Sequence, residues 1–191
     1  MNNLTLYNDA RPQIKNGDIV NWQMDSPVGR IIRLFTEDSH TSLVTLQDYA
    51  GMADRIFVVE SRAKTELNLL SNRLAGAHGK AYLLRLKPHW DPVRPYIAGW
   101  VCEQVGNRYD FKGLFGNLFG RVSMDARNFF CSELGWFGTR QGAGRCASCT
   151  GGLGKEVKED IDKTEELLKG RAPRPGDFRR MPMYAAPVRI L

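Results

Sequence analysis

Apolar positions in the first half of the chain come in short runs bounded by turn residues, which is the pattern of strands. GDIVNW (17–22) follows an Asn-Gly turn and reads as a first strand. SPVGRIIRLFT (26–36) reads as a short helix, opened by Ser26 with Pro27 at its first position. TEDS then turns the chain into HTSLVTL (40–46), a second strand. RIFVVES (55–61) is a strand with a continuous apolar centre, and KAYLLRLK (80–87) is another, with alternation at its ends. The weaker stretch between them, 62–79, is predicted to hold a short strand and a loop.

Helical spacing dominates afterwards. Val93, Tyr96, Ile97, Trp100, Val101 and Val105 form a core-facing stripe over 92–106. Phe111, Leu114, Phe115, Leu118 and Phe119 repeat the pattern over 110–120, opposite Lys112 and Asn117, as a core helix or as an apolar lid over a substrate groove. QGAGRCASCTGGLG (141–154) holds five glycines and reads as a loop or flexible insertion. A charged helix is predicted over 155–169, with Glu159–Lys163 and Glu165–Lys169 at favourable spacing and Gly170 at its end. Its apolar stripe, Val157, Ile161, Thr164 and Leu168, is narrow, so most of the helix faces water. RAPRPGDFRRMP is a Pro-rich crossing, and MYAAPVRIL supplies a last edge strand. No internal repeat is present.

Composition narrows the class. The 191 residues suit one domain, and 42% hydrophobic residues with 25% charged ones suit a globular protein rather than a disordered one. No apolar run is long enough for a transmembrane helix, and the N-terminus has neither the basic start nor the apolar stretch of a secretory signal. A cytoplasmic protein is the expectation, with export by another route left open. Four cysteines do not make a disulfide scaffold at this length. The net charge of +6 is spread: residues 171–191 carry five basic groups and one acidic group, without a dense basic face. Stable nucleic-acid binding is therefore not expected.

The three histidines and four cysteines sort by context. His78 and His89 stand beside Gly or Pro in loops, whereas His40 stands where a turn meets a strand, held by rigid backbone at a cleft edge. Cys102 lies inside the 92–106 stripe as an apolar thiol. Cys146 and Cys149 form a CxxC without a second ligand pair, so a simple loop is favoured over zinc or a disulfide. Cys131 follows Phe129 and Phe130 and opens SELGWFG, where a helix N-terminus would favour thiolate. The alternative is a buried thiol anchored by the two aromatics. Glu60, after three apolar residues, is either an exposed strand end or a partner that orients an imidazole.

The ordered set NGDIV, DSHTSLV, FVVES, NRYD, FFCSELGW and RPGDF resembles the circularly permuted NlpC-type papain-fold cysteine hydrolases, the YiiX-like group. The resemblance spans about residues 16–140 and resumes near 172–180. It implies an α+β fold, with an antiparallel sheet or small barrel packed against helices. In that family's permuted branch the histidine strand precedes the cysteine helix, as here. Carried over, Cys131 matches the nucleophile, His40 the general base and Glu60 the polar third member. Tyr109 and Asp110 match a structural step ahead of the cysteine helix, and Gly17 and Asp18 match an opening turn. The CASC segment and the acidic helix depart from the pattern, so about 141–170 is read as an insertion in a single domain and substrate specificity is not transferred.

The expectation is a cysteine hydrolase acting on an amide bond, such as a cell-wall-type peptide, with no metal or organic cofactor. Its oxyanion would rest on backbone N–H groups near the start of the Cys131 helix. A thioesterase or acyltransferase on lipid-like substrates would use the same Cys131 and His40. A papain-like fold kept as a non-catalytic binding module is the rival of another class. Within the hydrolase reading, if Glu60 is an exposed strand end, Asp38 or Asp110 is the rival orienting group for His40.

Overall fold

A computed structural model describes residues 4–48, 54–61, 64–106 and 126–191. The expected strands are present as β1 (Ile19–Met24), β2 (His40–Asp48), β3 (Asp54–Ser61) and β5 (Gly79–Leu84), joined by β4 (Thr65–Leu69) and a short β6 (Val188–Arg189). They form one open antiparallel sheet in the order β4-β3-β2-β1-β5-β6, not a closed barrel. The helices are α1 (Thr5–Ala10), α2 (Pro27–Thr36), α3 (Leu70–Ala75), α4 (Arg94–Glu103), α5 (Ala126–Thr150) and α6 (Lys155–Leu168). The fold class is α+β. The 110–120 segment, Tyr109 and Asp110 lie outside the described residues.

Strand alternation divides the core into two layers. Ile19, Leu43, Val59 and Leu84 point to one face, where Ile97 and Val101 of α4 and Leu134 and Ala143 of α5 meet them. Val20, Val44, Val58 and Leu83 point to the other, against Tyr7 of α1 and Leu70 and Leu74 of α3. His40 and Glu60 belong by parity to this second face.

Two local expectations hold in atomic detail. Ser26 Oγ accepts the Gly29 N–H at 3.0 Å, capping α2 where the sequence placed its start. Asp18, after Gly17 with its φ of +81°, is a buried node: its carboxylate accepts from the backbone N–H of Lys15 and Leu86 and from Arg94 Nη1. Burial raises the Asp18 carboxyl, against the pull of Arg94.

Three expectations are corrected. The loop expected at 141–154 is helix as far as Thr150, the last turns of α5. Its glycines are there for contact rather than for flexibility. A Cβ on Gly142 would come within 2.7 Å of the Ile97 backbone, and one on Gly138 within 2.6 Å of Val101 Cγ2. Gly135 meets Phe178 and Ile19 in the same way, so three small residues at helical spacing let α5 lie close on α4 and the sheet. Secondly, Cys131 does not open its helix. It lies in the second turn of α5, five residues after Ala126. Thirdly, the loop expected in 62–79 contains α3, whose Leu70 and Leu74 are buried. The charged helix is present as α6. Asp160 is buried along with Val157, Thr164 and Leu168, which widens its inward face beyond the apolar stripe.

Candidate active site

The site grows from the ends of three strands. Trp22 and His40 are cross-strand partners in the β1–β2 ladder, and their rings stack with centroids 5.4 Å apart and planes 7° from parallel. Ser42, two residues along β2, shares that face. Trp22 Nε1–H donates to Ser42 Oγ at 2.8 Å. Indole nitrogen is a donor only, so Ser42 must turn its own proton elsewhere; it donates to Glu60 Oε1 at 2.6 Å.

Glu60 is 2% exposed and surrounded by donors. His40 Nε2 lies 3.4 Å from Oε1, Arg73 Nε 2.8 Å from Oε2, and Asn68 Nδ2 donates to Oε2 at 3.3 Å. Burial alone would raise this carboxyl. The His40 ring, the Ser42 hydroxyl and the Arg73 guanidinium outweigh it and lower Glu60 from 4.5 to about 2. Of the two sequence readings of Glu60, the exposed strand end does not describe this residue.

Cys131 is 5% exposed, and its thiol donates to the carbonyl oxygen of Ser61, the residue after Glu60 on β3. The structure thus brings His40 to Glu60 directly, and Cys131 to the neighbouring residue of the same strand. It reaches that point from α5, which packs through Gly135 and Gly138 on Ile19 and Leu43, the sheet face opposite to that of His40. Placement in the second turn also changes its electrostatics. The helix dipole acts within the first turn, and in a helix the N–H of residue 131 is directed at the carbonyl of residue 127. The expected oxyanion donors at the Cys131 helix start therefore do not follow from this geometry.

The remaining candidates separate from the site. Asp38, the rival orienting group, is buried and accepts two bonds from Arg179, at 2.6 and 2.7 Å, and one from Asn21 Nδ2 at 2.8 Å. Cys146 is buried near the Pro92 carbonyl and Cys149 is exposed, both on α5. Cys102 is half-buried with Thr45 Oγ1 at 3.4 Å. His89 is not a bare loop residue: Asp160 Oδ2 is 2.7 Å from its Nε2 and also accepts Trp90 Nε1–H at 3.0 Å, tying α6 to the 88–90 turn. His78 precedes β5, and its carbonyl accepts the Asp25 N–H.

Sequence reasoning missed Trp22, Ser42, Asn68 and Arg73. The period of two offers a signal for Ser42, a small polar residue between His40 and Val44 on one face of the strand. Arg73 has no such signal, because only the return of α3 over β3 brings it to Glu60.

Among the described residues, no helix is long and apolar enough to cross a membrane, and no group of three or more His, Cys, Asp or Glu side chains is arranged to hold a metal ion. No family model and no curated sequence matches the chain. A solved structure does: the metalloprotein yiiX from Escherichia coli O157:H7 superposes with a TM-score of 0.57 at 19% identity, over 91% of this chain and 96% of that one. The two share a fold.

Proposed function

We propose that this protein is a cysteine hydrolase cleaving an amide bond in a small peptide or related acyl substrate, with Cys131, His40 and Glu60 as its reacting and orienting groups. The observation that carries the reading is the His40 ring clamped between a buried carboxylate at its edge and the Trp22 indole on its face. An imidazole so fixed suits a general base, and Cys131 reaches the residue after Glu60 on the same strand, which supports the pairing. The shared fold with yiiX supports it at the level of architecture.

In the reaction, His40 takes the proton from Cys131 and the sulfur forms a bond to the substrate carbonyl carbon. The amide C–N bond breaks as His40 returns that proton to the leaving amine. Water, activated by the same imidazole, then cleaves the thioester and restores the thiol. Glu60 stays ionised throughout and stabilises the imidazolium.

The yiiX structure is described as that of a metalloprotein. The donor set here does not fit a resident cation, because both oxygens of Glu60 already face the guanidinium of Arg73 and the hydroxyl of Ser42. No step is routed through a metal.

The test is a parallel assay of peptide amides and acyl thioesters with wild-type protein and Cys131→Ala, beside the alkylation rate of Cys131 against pH. Amide turnover lost in Cys131→Ala, with alkylation reaching half its maximum well below about pH 8.5, is the expected result. Turnover of thioesters alone would move the substrate to the acyltransferase class. A thiol that reacts like free cysteine, with no turnover of either substrate, would leave a binding module.

A further inference from the structure

Arg73 touches both of the groups that hold the His40 ring. Its Nε lies 2.8 Å from Glu60 Oε2 and its Nη2 donates to Oε1 at 3.4 Å, so the guanidinium spans the carboxylate. Its central carbon stands 5.7 Å from the centroid of Trp22, the ring stacked on His40. We infer that Arg73 is a positioning residue for His40, anchoring at once the carboxylate at the imidazole's edge and the indole on its face. Its consequence for turnover rests on the hydrolase reading above; its effect on the ring does not.

A glutamate has three side-chain torsions, and a single ring contact would leave its carboxylate free to rotate. Ser42 holds Oε1 and Arg73 holds Oε2, which fixes the plane toward which His40 points. Arg73 also sets the charge. A lone carboxylate beside an imidazole favours imidazolium. A guanidinium on the same carboxylate compensates that charge, and the imidazole stays able to accept the thiol proton.

Among the described residues, the charged groups around the ring are few. Glu60 comes from β3 and Arg73 from α3. Glu66 is opposite Glu60 on β4 and is itself 3.5 Å from Lys64. Asp38, two residues before His40, is bound by Arg179. Cys131 approaches from α5 at the Ser61 carbonyl. Arg73 is the cation among them that touches both Glu60 and Trp22.

The experiment follows the imidazole protons of the substrate-free protein by NMR as pH is varied. With three histidines in the chain, His40 is assigned from the signal lost in His40→Gln. Arg73→Met should raise the His40 titration midpoint by about one pH unit, and Arg73→Lys, which keeps the charge, should return most of that change. Arg73→Gln replaces the methionine variant if the latter does not fold. Under the hydrolase reading, kcat falls several-fold in Arg73→Met while KM changes little. An unmoved midpoint in a folded Arg73→Met or Arg73→Gln overturns the inference, even if amide turnover is present. A moved midpoint without turnover of any acyl substrate keeps the inference and removes the hydrolase reading.

Discussion

His40 Nε2 and Glu60 Oε1 lie 3.4 Å apart across neighbouring strands, with the carboxylate almost wholly buried. This relationship bears on which nitrogen of His40 would act in the proposed reaction. With a carboxylate held as an anion beside Nε2, a neutral ring that keeps its proton on Nε2 has its lone pair on Nδ1. In the proposed hydrolase, the nitrogen that would take the thiol proton is then the one turned away from Glu60.

Glu60→Gln tests the donor inventory. Ser42, Asn68 and Arg73 Nη2 all donate hydrogens to Glu60, with the His40 ring beside them, and a carboxylate can accept them all. An amide keeps one acceptor oxygen but sets its NH2 against donors. The variant should lose about 2 kcal/mol of stability and most of its turnover, and Glu60→Ala should lose more. Chemical denaturation and the pH–rate profile check both. In wild type, the Glu60 contribution is present above pH 4.5 and disappears as pH falls toward its lowered value of about 2. An unfolding curve of Glu60→Ala that keeps the wild-type acid limb would contradict this.

The glycines of α5 give opposite predictions a few residues apart. A Cβ on Gly142 would meet Ile97 backbone atoms at 2.7 Å, and backbone cannot yield as a side-chain tip can. Gly142→Ala should cost on the order of 2–3 kcal/mol. At Gly144 an added methyl meets nothing within 4 Å, so Gly144→Ala should stabilise the helix by about 0.5–1 kcal/mol. Thermal melts of the two variants decide between a packed helix and a loop, since a loop would tolerate both alike.

These cases show what a sequence can and cannot carry. The strands were legible because period-two alternation is a local property of residues such as Ile19–Trp22 and Phe57–Ser61, and a strand's partner lies on its own sheet. The same holds for Ser26 and Pro27, whose capping chemistry acts within one turn. Gly142 reads as a loop residue because intrinsic propensity disfavours it in a helix; its reason is the surface of α4, which no window around residue 140 contains. The site divides likewise. His40 and Glu60 announce themselves as polar residues at the ends of apolar strands. Arg73 and Trp22 enter through register and through a short helix that packs on the sheet, both of them non-local.

Glu133, two residues after Cys131, makes stability fall as pH rises. Burial pushes its carboxyl up from 4.5 to about 7. The folded state therefore holds a proton that the unfolded state releases near pH 4.5, so stability is complete below that pH and declines as pH rises through 7. Glu133→Gln removes the titration. The variant should match wild type at pH 5 and exceed it by on the order of 2 kcal/mol at pH 8. Parallel melting curves at the two pH values read the difference, and equal gains at both would point to packing rather than charge.

Asp38 separates an orienting role from a structural one. Its carboxylate binds Arg179 through two hydrogen bonds and Asn21 through a third, while the Asn21 amide also donates to the Pro175 carbonyl at 2.8 Å. The β1–β2 pair is thereby joined to the C-terminal crossing segment, and Arg179 lies 4.4 Å over the Tyr82 ring. Asp38→Asn leaves a guanidinium, 20% exposed, without its charge partner and should destabilise the protein by about 2–4 kcal/mol. The His40 midpoint should stay where it is, since the charge that faces the Asp38 carboxylate is that of Arg179. Double substitution with Arg179→Met should recover part of the loss, because it removes the stranded charge. A displaced His40 midpoint in Asp38→Asn, with the midpoint of Glu60→Gln unchanged, would transfer the orienting role to Asp38.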